Sequence, residues 1–161
     1  MSGVEVNPGR PEIGPYTVLF GIGNCGRSDD GLGWAFLDAI QKMPGFCGRA
    51  EYRYQLQVED ALLASRAKNV VFIDSSRSPL STGFEIRACL PAKDFEFTTH
   101  VLPPRAVLHY CQDLYAKTPP ATIVGIQGYS WELQTGLSDQ AAINLARALA
   151  FFADPKAWVS I

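Results

Sequence analysis

The segment Tyr16–Met43, YTVLFGIGNCGRSDDGLGWAFLDAIQKM, restricts what this chain can fold into more than any other. Val18, Leu19, Phe20 and Ile22 form a short apolar run of the kind buried on both faces of a central strand. Leu32, Phe36, Ile40 and Met43 recur at helical spacing and predict one apolar helix face. Between them Gly21, Gly23 and Gly26 allow a sharp turn, and Asp29 and Asp30 stand at the mouth of the helix. A strand, a glycine turn and a helix in immediate succession open an α/β sheet, a fold that takes its ligands beyond the carboxyl ends of its strands.

The rest of the chain continues the alternation. Glu51–Leu56 is expected as a second strand and Val58–Arg66 as a short helix. Val70–Ile73 is an unbroken apolar run that ends in Asp74, Ser75 and Ser76. Gly83–Cys89 follows after too short a loop for a helical crossover, so this fourth strand should run antiparallel. Residues 90–99 show no period. Pro103 and Pro104 suit the first turn of a helix over about 103–116, with Val107, Cys111 and Leu114 inward and His109 solvated. Thr122–Ile126 is the fifth strand. Ser138, after Leu137, should cap a last helix that buries Ile143, Leu145, Leu149 and Phe152 and stops at Pro155. The pattern predicts a three-layer α/β/α fold with a mainly parallel sheet. If the third strand returns beside the first, a switch point brings the Asp29–Asp30 loop opposite Asp74. The ten residues before His100 can span roughly 33 Å and carry it to the same end.

At 161 residues, 47% hydrophobic and 19% charged, the chain is expected to be one globular domain over residues 16–161 behind a flexible lead-in, residues 1–15. A net charge of −2 without a basic run argues against nucleic acid, and no apolar stretch has the length of a membrane span. Cys25, Cys47, Cys89 and Cys111 form no CxxC pair. With no export signal visible they are expected as free thiols in the cytoplasm.

Three chemistries compete for the glycine loop. Gly21–Gly26, GIGNCG, matches the dinucleotide fingerprint, but Asp29 and Asp30 would repel a pyrophosphate and the second strand lacks a ribose-binding acid. A cysteine hydrolase would use Cys25 with His100, yet two nearby aspartates oppose a thiolate. Packing is the plainer account of Cys25. The third possibility joins Asp30, Asp74 and His100 into a site for a divalent transition metal such as nickel, zinc or iron. Taken singly, each has an ordinary explanation. Asp29 and Asp30 suit a helix cap whose loss costs about 1 kcal/mol, Asp74 a strand-end turn, and His100 a loop.

GIGN at Gly21–Asn24, DDGLG at Asp29–Gly33, Asp74 in VVFIDSS, His100 ahead of a helix, and GIQG (Gly125–Gly128) followed by GLS (Gly136–Ser138) together resemble the nickel–iron hydrogenase maturation endopeptidases. The resemblance runs over about residues 17–152. It implies a phosphorylase/hydrolase-like sheet of five strands in the order 2-1-3-5-4 with strand 4 antiparallel. It implies an endopeptidase that removes the C-terminal extension of a nickel-loaded hydrogenase large-subunit precursor. The implied metal ligands are Asp30, Asp74 and His100; the chemistry is open between a metal that polarises the scissile carbonyl or activates the attacking water and Asp30 or Asp74 acting as general base. The nickel arrives with the precursor, and no organic cofactor is implied. A monomer is expected. A non-catalytic assembly checkpoint using the same triad is the competing function. Cys25 and Gly26, Ser75 and Ser76, and the lead-in depart from the family pattern.

Overall fold

The computed structural model of the protein describes residues 13–93 and 102–153. Five strands, β1 (Thr17–Ile22), β2 (Arg49–Arg53), β3 (Asn69–Ser76), β4 (Phe84–Ala88) and β5 (Ala121–Gln127), form one sheet in the order β2-β1-β3-β5-β4. All neighbours are parallel except β4 and β5, which are antiparallel. Four helices cover the sheet: α1 (Leu32–Ile40), α2 (Asp60–Ser65), α3 (Pro104–Tyr115) and α4 (Asp139–Ala153).

The apolar runs explain the layers. In β1 and β3, Val18, Phe20, Ile22, Val70 and Phe72 face α2 and α3. Leu19, Val71 and Ile73 face α1 and α4. Alternation within a continuously apolar strand fills both faces, so β1 and β3 must be central. Phe20 and Phe72 stack across the strand pair at 5.5 Å.

Several boundaries and faces differ from the sequence expectation. β2 is Arg49–Arg53 rather than 51–56, because its pairing ends where β1 reaches its glycine turn, the Gly23 N–H donating to the Arg53 carbonyl at 2.9 Å. Leu56 instead forms an isolated bridge with Leu102. α2 is shorter than predicted. Buried Asp60, the first residue of the helix, accepts from the Gln57 N–H and the Arg53 guanidinium, tying the helix to the preceding loop and to β2. In α3 the buried stripe is Ala106, Val107, Leu108 and Cys111, and Leu114 is exposed. His109 is half-buried, with its ring 5.6 Å from Tyr110, rather than solvated. In α4 the inward residues are Ala141, Asn144, Ala148 and Phe152, with Leu145 and Leu149 partly buried and Ile143 exposed. Small side chains and an inward asparagine set this face, and a count of large apolar residues cannot see that. Pro155 lies outside the described residues.

Candidate active site

Where β1 ends, the chain must turn sharply over the top of the sheet. Gly23 has φ +137°, and a Cβ there would stand 1.9 Å from the Asp30 carbonyl oxygen. Only glycine is tolerated. Asn24 then closes an Asx turn, its Oδ1 accepting from the Gly26 N–H at 2.9 Å. Ser28 follows in the left-handed region at φ 50°, strained for a residue with a Cβ. It is held by its N–H on the Gln134 carbonyl, 2.8 Å, and its hydroxyl on the Glu132 carbonyl, 3.1 Å. A 3-10 turn, Ser28–Gly31, leads into α1. The first turn of α1 lies directly on the ends of β1 and β3, since a Cβ on Gly33 would come within 2.6 Å of both the Ile22 and Ile73 carbonyls.

This path delivers Asp30 to the switch point between β1 and β3. Its Oδ2 accepts from the Asn24 N–H at 2.8 Å, and no donor among the described residues meets Oδ1. Asp74 lies near the end of β3, in register with Gly125, and its Oδ1 accepts from the Ser75 N–H at 2.8 Å. Burial pushes the Asp74 carboxyl up. The Ser75 N–H pulls it down, the Asp30 charge pushes it up again, and the outcome is about 7. The two carboxylates predicted from sequence are thus close enough to oppose each other's charge. A cavity of about 150 Å³ opens beside Asp74, lined in part by Ser75, Glu85, Arg87 and Pro104.

The third predicted residue, His100, lies outside the described residues. Among the described residues no group of three His, Cys, Asp or Glu side chains is placed to hold a metal. Asp30 and Asp74 could therefore supply at most part of a coordination sphere.

Asp29 does not cap α1, as expected from its position, and it does not face the cleft. It is fully buried, and its carboxylate accepts four hydrogen bonds from the segment after β5. The Tyr129 and Ser130 N–H groups donate to Oδ2 at 2.7 and 2.9 Å. The Ser138 N–H donates to Oδ1 and its hydroxyl to Oδ2, both at 2.7 Å. Burial alone would raise this carboxyl, but the four donors outweigh it and hold it below the ordinary 3.8. Ser138 caps α4 as predicted, its Oγ accepting from the Ala141 N–H at 3.3 Å. The adjacent acids therefore have opposite duties, Asp30 to the cleft and Asp29 to the scaffold. The sequence shows a cap residue and a pair of acids, but nothing in it joins the two.

The other two chemistries fare differently. In the glycine loop the Asn24 N–H donates to the Asp30 carboxylate at 2.8 Å, so the loop carries its own anion. Cys25 is exposed, which corrects the packing account and leaves it a loop position. Cys89 and Cys111 are buried, with burial pushing both thiols up to about 11. All four cysteines are free. Cys25→Ala should leave thermal stability within about 0.5 kcal/mol of the parent and leave any hydrolytic activity intact. Loss of activity in a folded Cys25→Ala protein would restore the cysteine-hydrolase chemistry.

An open, mixed α/β/α sheet with a carboxylate pair at its switch point is the class of protein these features define. No family model matches the sequence, and no curated protein matches it by sequence. Solved structures do match. The hydrogenase maturating endopeptidase HybD from E. coli aligns over 84% of this chain and 88% of its own at 17% identity, with a TM-score of 0.67. The [NiFe] hydrogenase maturation protease HycI from Thermococcus kodakarensis KOD1 aligns over 86% and 90% at 23% identity, with a TM-score of 0.64. The endopeptidase HycI from Escherichia coli aligns over 81% and 84% at 20% identity, with a TM-score of 0.59. This chain shares their fold over nearly the whole described region. No helix among the described residues is long and apolar enough to cross a membrane.

Proposed function

We propose that the protein is a member of the nickel–iron hydrogenase maturation endopeptidase family. It removes the C-terminal extension of a hydrogenase large-subunit precursor after nickel insertion, acting as a monomer in the cytoplasm. The observation that carries this reading is the pairing of Asp30 with Asp74 at the switch point of a sheet shared with named maturation proteases. The motifs GIGN and DDGLG supply the turn that creates the pair.

The nickel is part of the substrate. Asp30 Oδ1 meets no donor among the described residues, and Asp74 is held against its neighbour's charge, so a cation presented by the precursor relieves a repulsion that is already present. Imidazole and carboxylate donors suit nickel. His100 is the third ligand in this reading. Its place in the sequence ahead of α3, matching the family's pre-helix histidine, supports it. One of the two carboxylates, Asp30 or Asp74, takes a proton from the attacking water as general base. Without nickel in the precursor the two acids lack the ion that assembles the site, so cleavage follows metal insertion.

Incubating nickel-loaded and nickel-free precursor with the protein, and weighing the products by mass spectrometry, tests this directly. Loss of the C-terminal extension from the loaded form alone is expected. A loaded, cognate precursor that stays intact while binding the protein would replace the protease with a non-catalytic checkpoint.

A further inference from the structure

Asp29 is the most heavily bonded carboxylate among the described residues, and the reaction has no use for it. It sits beside Asp30, yet every donor it meets comes from about 100 residues later, in Tyr129, Ser130 and Ser138. The connection is reinforced in the opposite direction. The Asp29 N–H donates to the Ser130 carbonyl at 3.0 Å, and Ser28 donates to the Gln134 and Glu132 carbonyls. The segment from Tyr129 to Ser138 is itself anchored at both ends. Asn144, buried in α4, donates to the Gln127 carbonyl and the Tyr129 hydroxyl, each at 3.1 Å. Ser138 caps the same helix.

The turn that carries Asp30 is therefore fastened on two sides. On one side the Asn24 N–H fixes its carboxylate. On the other, Ser28 is kept in a left-handed conformation by bonds to the 129–138 segment. A strained residue persists only where its surroundings over-determine it, and the Asp29 carboxylate ties that surrounding segment to the turn.

We propose that Asp29 is a positioning residue: by clamping the 129–138 segment to the Ser28–Gly31 turn, its buried carboxylate fixes where the Asp30 carboxylate stands in the cleft. The inference rests on the endopeptidase reading for its functional consequence, but not for its geometry. Asp30 needs this support because its neighbour Asp74 repels it. Two like charges move apart unless the backbone beneath them is held.

The test uses the full chain with Asp29→Asn and the milder Ser138→Ala. Asparagine is nearly isosteric, but its amide nitrogen must face donors that the carboxylate oxygen accepted from. Phe152→Leu, at the far end of α4, serves as a control for lost stability alone. The first readout is the Asn24 amide, by chemical shift and hydrogen exchange, since that N–H reports the Asp30 Oδ2 position. It should shift and lose protection in Asp29→Asn, move part of the way in Ser138→Ala, and stay put in Phe152→Leu. The second readout is turnover of nickel-loaded precursor well below every variant's melting temperature. A kcat at least tenfold lower with KM little changed is expected for Asp29→Asn, and parental kcat for Phe152→Leu. If only the Tyr129, Ser130 and Ser138 amides respond while Asn24 does not, the proposal is overturned, whatever happens to turnover. If the parent cleaves no precursor, the endopeptidase reading fails and the Asn24 amide still decides the geometry. Should Asp29→Asn not fold, Ser138→Ala decides alone by the same two readouts.

Discussion

Asp74→Asn should abolish precursor processing and at the same time make the folded protein more stable above neutral pH. Loss of a carboxylate that serves as general base costs roughly 10²–10⁴-fold in rate, and loss of a ligand adds to it. The stability gain follows from the raised carboxyl. In the folded protein Asp74 holds its proton up to about 7, against 3.8 for the free side chain, because burial and the Asp30 charge penalise the anion. Well below 3.8, at about pH 3 and lower, the group is protonated in both states and contributes no penalty. The penalty grows as pH rises through the interval and is complete above 7. A shift of that size corresponds to a penalty on the order of 4 kcal/mol, of which structural relaxation and water leave only part to be recovered. Asparagine removes it and keeps an oxygen for the Ser75 N–H. At pH 8 the melting temperature should rise by about 4–8 °C, taking about 2 kcal/mol as the recovered part, and at about pH 3 the gain should vanish. Thermal unfolding at the two pH values decides the matter. A variant that processes precursor normally, or that is destabilised equally at both pH values, would mean that Asp74 is an ordinary strand-end turn residue. Asp30→Asn should likewise stop processing, through loss of a ligand.

The second large effect is on stability and belongs to Asp29. Asp29→Ala removes the acceptor of three backbone N–H groups and one hydroxyl in a fully buried setting. A cap residue on a surface helix costs about 1 kcal/mol, whereas orphaning several buried donors of a charged acceptor costs about 3–6 kcal/mol. The larger figure is expected in urea unfolding at pH 7. Here the pH dependence has the opposite sign to that of Asp74. The folded carboxyl is held below 3.8, so its contribution is fully present above that value and is lost as pH falls through the lower, folded value. The gap between parent and variant should therefore narrow below about pH 4. A loss near 1 kcal/mol at pH 7, or one that is constant with pH, would mean that the donors find water or other partners when the carboxylate goes.

The contrast between these neighbours shows where the sequence is legible. The central strands were readable because β1 and β3 carry unbroken apolar runs, Val18–Phe20 and Val70–Ile73, that are buried on two faces. The antiparallel β4 followed from loop length alone, and the Asp30–Asp74 pairing from the switch-point rule. What failed were assignments that depend on which neighbour a side chain meets. Ile143 looked like core and is exposed, because Ala141, Asn144 and Ala148 let α4 approach the sheet on another face. Cys25 looked buried and lies at the surface.

The sequence by itself determined the layer order, the glycine turn and the presence of two acids at its end. These depend on local backbone preference and on apolar period, both of which act over a few residues. The division of labour between Asp29 and Asp30 was decided only in the tertiary structure. The donors that capture Asp29 lie 100 to 109 residues away, and no local preference encodes a bond across that interval. Folding the 129–138 segment against the turn buries one carboxylate among N–H groups that lower its pKa, and leaves its neighbour facing Asp74.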